Sequence, residues 1–182
     1  MYRWGATSQE ITTKLPGDEL LEPGLTCTTR AISIDAPVEH VWPWLAQLGE
    51  DRGGFYSYSL LERAVGADIH NASTIHTEWQ ELRVGDEVWL ARRFGERGCQ
   101  KVAAVVPKSH LVLVSKSDFE RSSHGEPVTG SWTFHLLPEK QGTRLLVRGS
   151  GGAVGHATFD VPHFIMERKM MLGIRRRAEH LS

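Results

Sequence analysis

Between Arg30 and Tyr58 the hydrophobic pattern changes period once, and the rest of the chain is organised around that change. Ile32 and Ile34 alternate with Ala31 and Ser33, as the residues of a strand do. Asp35-Ala36-Pro37 then ends the strand and supplies helix-start chemistry: Asp35 offers an oxygen to orphan amides, and Pro37 has a preset φ. Val38, Val41, Trp42, Leu45 and Leu48 recur at spacings of three and four, which predicts a helix with one apolar face. Pro43 lies inside that pattern. It lacks an N–H and disfavours helical geometry at Trp42, so a kink or a break into two short turns is predicted there. Gly53-Gly54 ends the element and presents Phe55, Tyr56 and Tyr58 from a loop. Tyrosines with buried rings and hydrated hydroxyls suit the rim of a pocket.

The stretch 1–25 has no sustained period and carries Pro16-Gly17 and Pro23-Gly24, so it reads as an arm lying along the domain, pinned by Trp4, Leu20 and Leu21. One domain follows over 26–182, with its first strand at about 26–35. After the organising stretch, Leu60, Leu61, Ala64 and Val65 predict a second short helix capped at Gly66. Strands are predicted at about 87–93, 99–106, 110–117, 129–137 and 143–150, and the short links between them favour antiparallel neighbours. The longest helical pattern runs from about Asp160 to Leu181. Projected at roughly 100° per residue, Phe164, Met171, Ile174, Ala178 and Leu181 share a face, Met170 sits at its edge, and Glu167 falls near its middle. The predicted class is therefore α+β: a strongly twisted antiparallel sheet gripping a long C-terminal helix, with two short helices after the first strand.

Composition narrows the function classes. A formal net charge of -1 over 182 residues argues against nucleic acid as a partner. Cys27 and Cys99 are far apart without CxxC spacing, so neither a zinc site nor a disulfide framework is expected. The opening residues lack an apolar leader core, and no run approaches the roughly 18 apolar residues of a membrane span. A cytoplasmic location without stable membrane insertion, and without a cofactor or metal, is the expectation.

His70, His76 and Glu78 are metal-ligand types, but H-x5-H-x-E is not a helical pair of ligands, and the segment reads as a loop in which His70 and Asn71 brace the cavity mouth. Ser57 lacks a G-x-S-x-G elbow, and Cys27 falls in a strand. The glycines of Gly149 to Gly155 do not match a phosphate loop and read as a flexible lead into the last helix. Arg175-Arg176-Arg177 complements the C-terminal end of that helix and solvates its outer face.

The stretch RAISIDAPVEHVWPWLAQLG, followed by GGFYSYSLLE, GADIHNAS and MERKMMLGIRRRAE, resembles the SRPBCC superfamily of START-like, polyketide cyclase/dehydrase-like and birch-pollen-allergen-like helix-grip proteins. The opening RWGATSQEITTKLPGDEL resembles a bacterial, often actinobacterial, branch. Ser59 departs from the aspartate expected after the tyrosine. The resemblance implies a helix-grip fold with a cavity between sheet and C-terminal helix, and it carries over no catalytic motif.

From these residues we expect a site for a hydrophobic, amphipathic or aromatic small molecule. Phe55, Tyr56 and Tyr58 form part of the rim, and Trp132, Phe134, Phe164, Met170 and Met171 the wall. Glu167, with Arg148 as its cation, is the polar anchor; otherwise Glu167 is half of a structural ion pair, or turned to water. Binding or carriage is the leading class. The alternative is a cyclase/dehydratase-like enzyme using Glu167, His70 or His76 as general acid or base. A third class is an interaction protein with a filled core.

Overall fold

The computed structural model describes residues 2–56, 71–151, 154 and 157–181. Six antiparallel strands form one sheet: β1 Cys27–Ile34, β2 Glu87–Trp89, β3 Cys99–Val106, β4 His110–Ser115, β5 Gly130–Glu139 and β6 Gly142–Gly151, in the order β1-β6-β5-β4-β3-β2. The helices are α1 Ser8–Thr12, α2 Val38–Ala46, α3 Lys116–Ser123 and the long α4 Ala157–Glu179. This is the helix-grip arrangement. The second short helix, expected at about 60–65, lies outside the described residues.

Alternation decides what each sheet face carries. On β1, Ile32 and Ile34 point to the same core as Leu145 and Val147 of β6, Phe134 and Leu136 of β5, and Leu111 and Leu113 of β4. α2 and α4 close that core with Val41, Trp42, Leu45, Met171, Ile174 and Ala178. Burying one such side chain contributes about 1.5–3 kcal/mol. α4 approaches the 53–56 turn so closely that a Cβ at Gly173 would lie 2.5 Å from the Tyr56 carbonyl oxygen.

The other face of the sheet is covered by the N-terminal segment. Leu15 packs on Ala31 and Leu146, and Thr133 Oγ1 donates to the Pro16 carbonyl at 3.3 Å. β1 is an edge strand, and its outward amides at Thr29 and Ala31 donate to the carbonyls of Tyr2 (2.9 Å) and Trp4 (3.0 Å). An edge so occupied offers no template for another chain there. Trp4 packs against the core, whereas Leu15 is the deeply buried leucine of the segment; Leu20 and Leu21 are only half-buried, and Leu21 bridges to Val128.

Four local expectations change. Asp35 does not cap α2: Pro37 holds the N-cap position, and the Asp35 amide instead donates to Glu179 at 3.0 Å. Pro43 does not break α2, which runs through it as one helix, because Val41, Trp42, Trp44 and Leu45 are buried on both sides of the proline. That burial exceeds the roughly 3 kcal/mol an interior proline costs. The strand expected at 110–117 stops at Ser115, whose hydroxyl accepts the Asp118 amide at 3.0 Å and so starts α3. The strand expected over 87–93 likewise ends at Trp89, since Arg92–Gly98 coils into 3-10 turns.

Candidate functional site

The core does not fill the whole space between sheet and α4. Leu145 and Val147 fill the inner positions of β6, but the next residue of that parity is Gly149. On β5 the same series runs Leu136, Phe134, Trp132 and then Gly130, with Trp132 opposite Gly149 and Gly130 opposite Gly151. Where side chains stop, space begins. A cavity of about 480 Å³ lies there, walled by Trp132, Phe55, Leu90, Met166 and Met170 and by the glycines of both strands. Gly151 has φ +66°, and a Cβ on it would strike the Thr129 carbonyl oxygen at 1.9 Å, so the strand ending itself requires glycine.

Polar groups meet in this wall. Glu167 of α4, 2 % exposed, forms an ion pair with the wholly buried Arg30 of β1. Its Oε1 accepts from Trp132 Nε1 at 3.0 Å. Asp160, one helical stretch earlier, is buried as well and accepts from the Tyr2 hydroxyl at 2.7 Å; this bond raises the Tyr2 pKa above its ordinary value. Burial pulls the Arg30 guanidinium below its usual value, and the nearby Asp160 charge opposes that pull. His163, also lining the cavity, has Nδ1 3.9 Å from Glu167 Oε2. Burial first, and Arg30 second, lower its pKa to about 4, so the imidazole is neutral at pH 7. On a separate wall stands Asp118 of α3.

Of the expected ligand-binding residues, Phe55, Trp132, Glu167 and Met170 line the cavity. Phe134 and Met171 do not; both are wholly buried in the filled part of the core. Phe164 turns toward the N-terminal segment, with its ring 6.3 Å edge-on from Trp4 and the Arg30 guanidinium 5.3 Å above it. Tyr56 is not a rim residue with a hydrated hydroxyl. Its OH donates to the Trp44 carbonyl at 3.1 Å, burial raises its pKa, and Arg177 stacks on its ring at 4.5 Å. Arg177 therefore packs inward while Arg175 and Arg176 stay exposed. Tyr58, Ser57 and His70 lie outside the described residues.

Arg148 does not reach Glu167, because it occupies the opposite parity of β6 and emerges on the outer face. There it is almost fully buried and donates to Thr29 Oγ1 (3.0 Å), to the carbonyls of Glu10 (3.0 Å), Ile11 (3.1 Å) and Thr13 (3.0 Å), and to Asp18 (2.5 Å). It serves the N-terminal segment, binding the free carbonyls at the end of α1. His76 stacks on Trp79 with centroids 4.2 Å apart and pairs with Glu78 at 3.2 Å, in a half-exposed position that does not line the cavity. Asn71 braces the aromatic turn by accepting from the Tyr56 amide. Among the described residues no group of three or more His, Cys, Asp or Glu is placed to hold a metal ion.

Arg30, His163 and Asp118 were not anticipated. Two of them left a readable signal: Arg30 shares parity with Ile32 and Ile34, so it faces the core, and His163 precedes Glu167 by one helical turn. The inner glycines of β5 and β6 mark the cavity only once the two strands are paired.

No protein-family model matches the chain. No curated protein matches it. Among solved structures it is similar to a Nitrosomonas europaea protein at 13% identity, covering 92% of this chain and 100% of that one with a TM-score of 0.55. A Staphylococcus saprophyticus protein matches at 11% identity over 85% of this chain and 92% of its own, with a TM-score of 0.51. A Corynebacterium glutamicum protein described as Polyketide_cyc-like matches at 15% identity over 86% and 89%, with a TM-score of 0.36. The likeness is one of fold alone, an antiparallel sheet gripping a long C-terminal helix. No helix of the described residues is long and apolar enough to cross a membrane.

Proposed function

We propose that this protein binds or carries a hydrophobic or amphipathic small molecule in the space between β5, β6 and α4. The observation that carries the reading is the cavity of about 480 Å³. Interiors pack with few voids larger than a water molecule, whereas ligand sites fall at about 300–1,000 Å³. An interaction protein with a filled core would have no such space. Phe55, Trp132, Met166 and Met170 supply apolar contact, and His163 and Glu167 the few polar groups that orient a ligand. The N-terminal segment serves as an arm on a single helix-grip domain.

Binding is favoured over cyclase-like catalysis by the state of the titratable groups. Glu167 is held by Arg30 and Trp132, which leaves it little freedom to exchange a proton, and a His163 with a pKa of about 4 is a weak base at neutral pH. His76 stands away from the cavity.

The test is native mass spectrometry of protein from its own host, with extraction of any bound molecule, followed by a thermal-shift screen of lipids and aromatics. A ligand that binds only the folded state raises the midpoint, by about 2.7 kcal/mol of stability at a hundredfold excess over Kd. A co-purifying apolar species, or a midpoint raised in the native protein and not in Gly149→Val, is the expected result. No bound species and no shift across the screen would overturn the reading.

A further inference from the structure

The charges around the cavity narrow the ligand's chemistry. Among the described residues lining it, Asp118 and Glu167 are carboxylates, and none is lysine or arginine. Glu167 meets Arg30, but Arg30 also feels the charge of Asp160, so among the described residues this cluster sets two carboxylates against one guanidinium. Asp118 is 4 % exposed and accepts from the Thr129 amide at 2.8 Å, Thr129 Oγ1 at 3.1 Å and Ser115 Oγ at 2.9 Å. All of these are neutral donors, and no ion pair of Asp118 occurs among the described residues. Negative charge held in a low-dielectric wall attracts a cation and repels a second anion. The aromatic wall acts in the same direction. Phe55 and Trp132 lie stacked with centroids 6.3 Å apart, and aromatic faces attract cations.

We propose that the ligand of this cavity carries a cationic nitrogen, such as a protonated amine, on an apolar body, and that carboxylate-bearing amphiphiles of the fatty-acid type are rejected. The inference rests on the small-molecule reading above. Asp118 is the counter-charge, since the Glu167 charge is already met by Arg30.

Titration calorimetry at neutral pH and low salt, with two sets of matched probes, tests it: decylamine, decanol and decanoate, and naphthylmethylamine, naphthalenemethanol and naphthylacetate. In at least one set the amine should bind about tenfold or more tighter than the acid, with the alcohol between, a difference of about 1.4 kcal/mol. Asp118→Asn keeps an acceptor for Thr129 and turns an amide NH2 toward Ser115 Oγ, a hydroxyl that can accept, and it should collapse the preference. Gln100→Lys, a cavity-lining change on β3 that leaves the α3 cap intact, should reverse it. The absence of this preference in both sets, with the acid or the alcohol binding as tightly as the amine, would overturn the inference while leaving small-molecule binding in place. Failure of all six probes to bind would count against both.

Discussion

Replacing Arg30 with methionine keeps an unbranched stem and removes the guanidinium that Glu167 and Asp160 face. Arg30 is wholly buried, Glu167 is 2 % exposed and Asp160 1 %. Neither carboxylate can turn to water, so both lose their compensating charge, and the Phe164 ring loses the cation above it. Breaking a buried pair from one side costs about 3–5 kcal/mol. Glu167→Gln is the milder change. It keeps an acceptor for Trp132 Nε1, and Asp160 still balances Arg30, so the loss is that of one charged hydrogen bond, about 1.5–3 kcal/mol. The double variant leaves only Asp160 facing the lost guanidinium and should cost less than the sum of the singles by about 1–2 kcal/mol. Equilibrium urea unfolding, followed by far-UV circular dichroism and by tryptophan fluorescence, reads these values from midpoints at constant slope. A cost of Arg30→Met below about 1 kcal/mol, or strict additivity in the double variant, would refute the pairing of Arg30 with Glu167 as the polar centre of the fold.

Other outcomes follow from the same geometry. Arg148→Met frees the three carbonyls at the end of α1, so proteolysis within residues 2–20 should accelerate and stability fall by about 2–4 kcal/mol, measured by limited digestion and urea unfolding. Gly149→Val adds a β-branched side chain where the backbone has no positive φ, with Thr28 Oγ1 at 3.3 Å as its tightest neighbour. The folded state should change by less than about 1 kcal/mol while ligand-induced thermal shifts disappear. His163 has a folded pKa of about 4 against an ordinary 6.5. The unfolded chain therefore binds the extra proton between those values, and stability, fully present above pH 6.5, declines as pH falls toward 4, by about 2–3 kcal/mol. In His163→Phe that part of the pH profile should flatten, as unfolding series between pH 4 and pH 7 will show.

Much of the architecture is written in local periods. The alternation in β1, the three-four spacing of α2, the boundaries of β3 and the apolar stripe of α4 are properties of neighbouring residues, and they can be read in order along the chain. Even the inward direction of Arg30 follows from its parity with Ile32 and Ile34. The partner of Glu167 does not. On β6 the run Leu145, Leu146, Val147 is apolar on both faces, because one face meets α4 and the other the Leu15 segment. Such a run hides which way Arg148 points. Only the pairing of Arg30 with Val147 and of Thr29 with Arg148 decides it: residues opposite each other on antiparallel strands share a face, so Arg30 goes in with Val147 and Arg148 goes out with Thr29. The cavity has the same origin. Gly130 and Gly149 are ordinary strand glycines along the chain, and they become a space only when pairing places them on neighbouring strands beneath α4. The sequence determined most of the elements and the charge available to the site, while strand register decided the rest: which charges meet, through β1 and β6 more than a hundred positions apart, and where the core stays open, through β5 and β6.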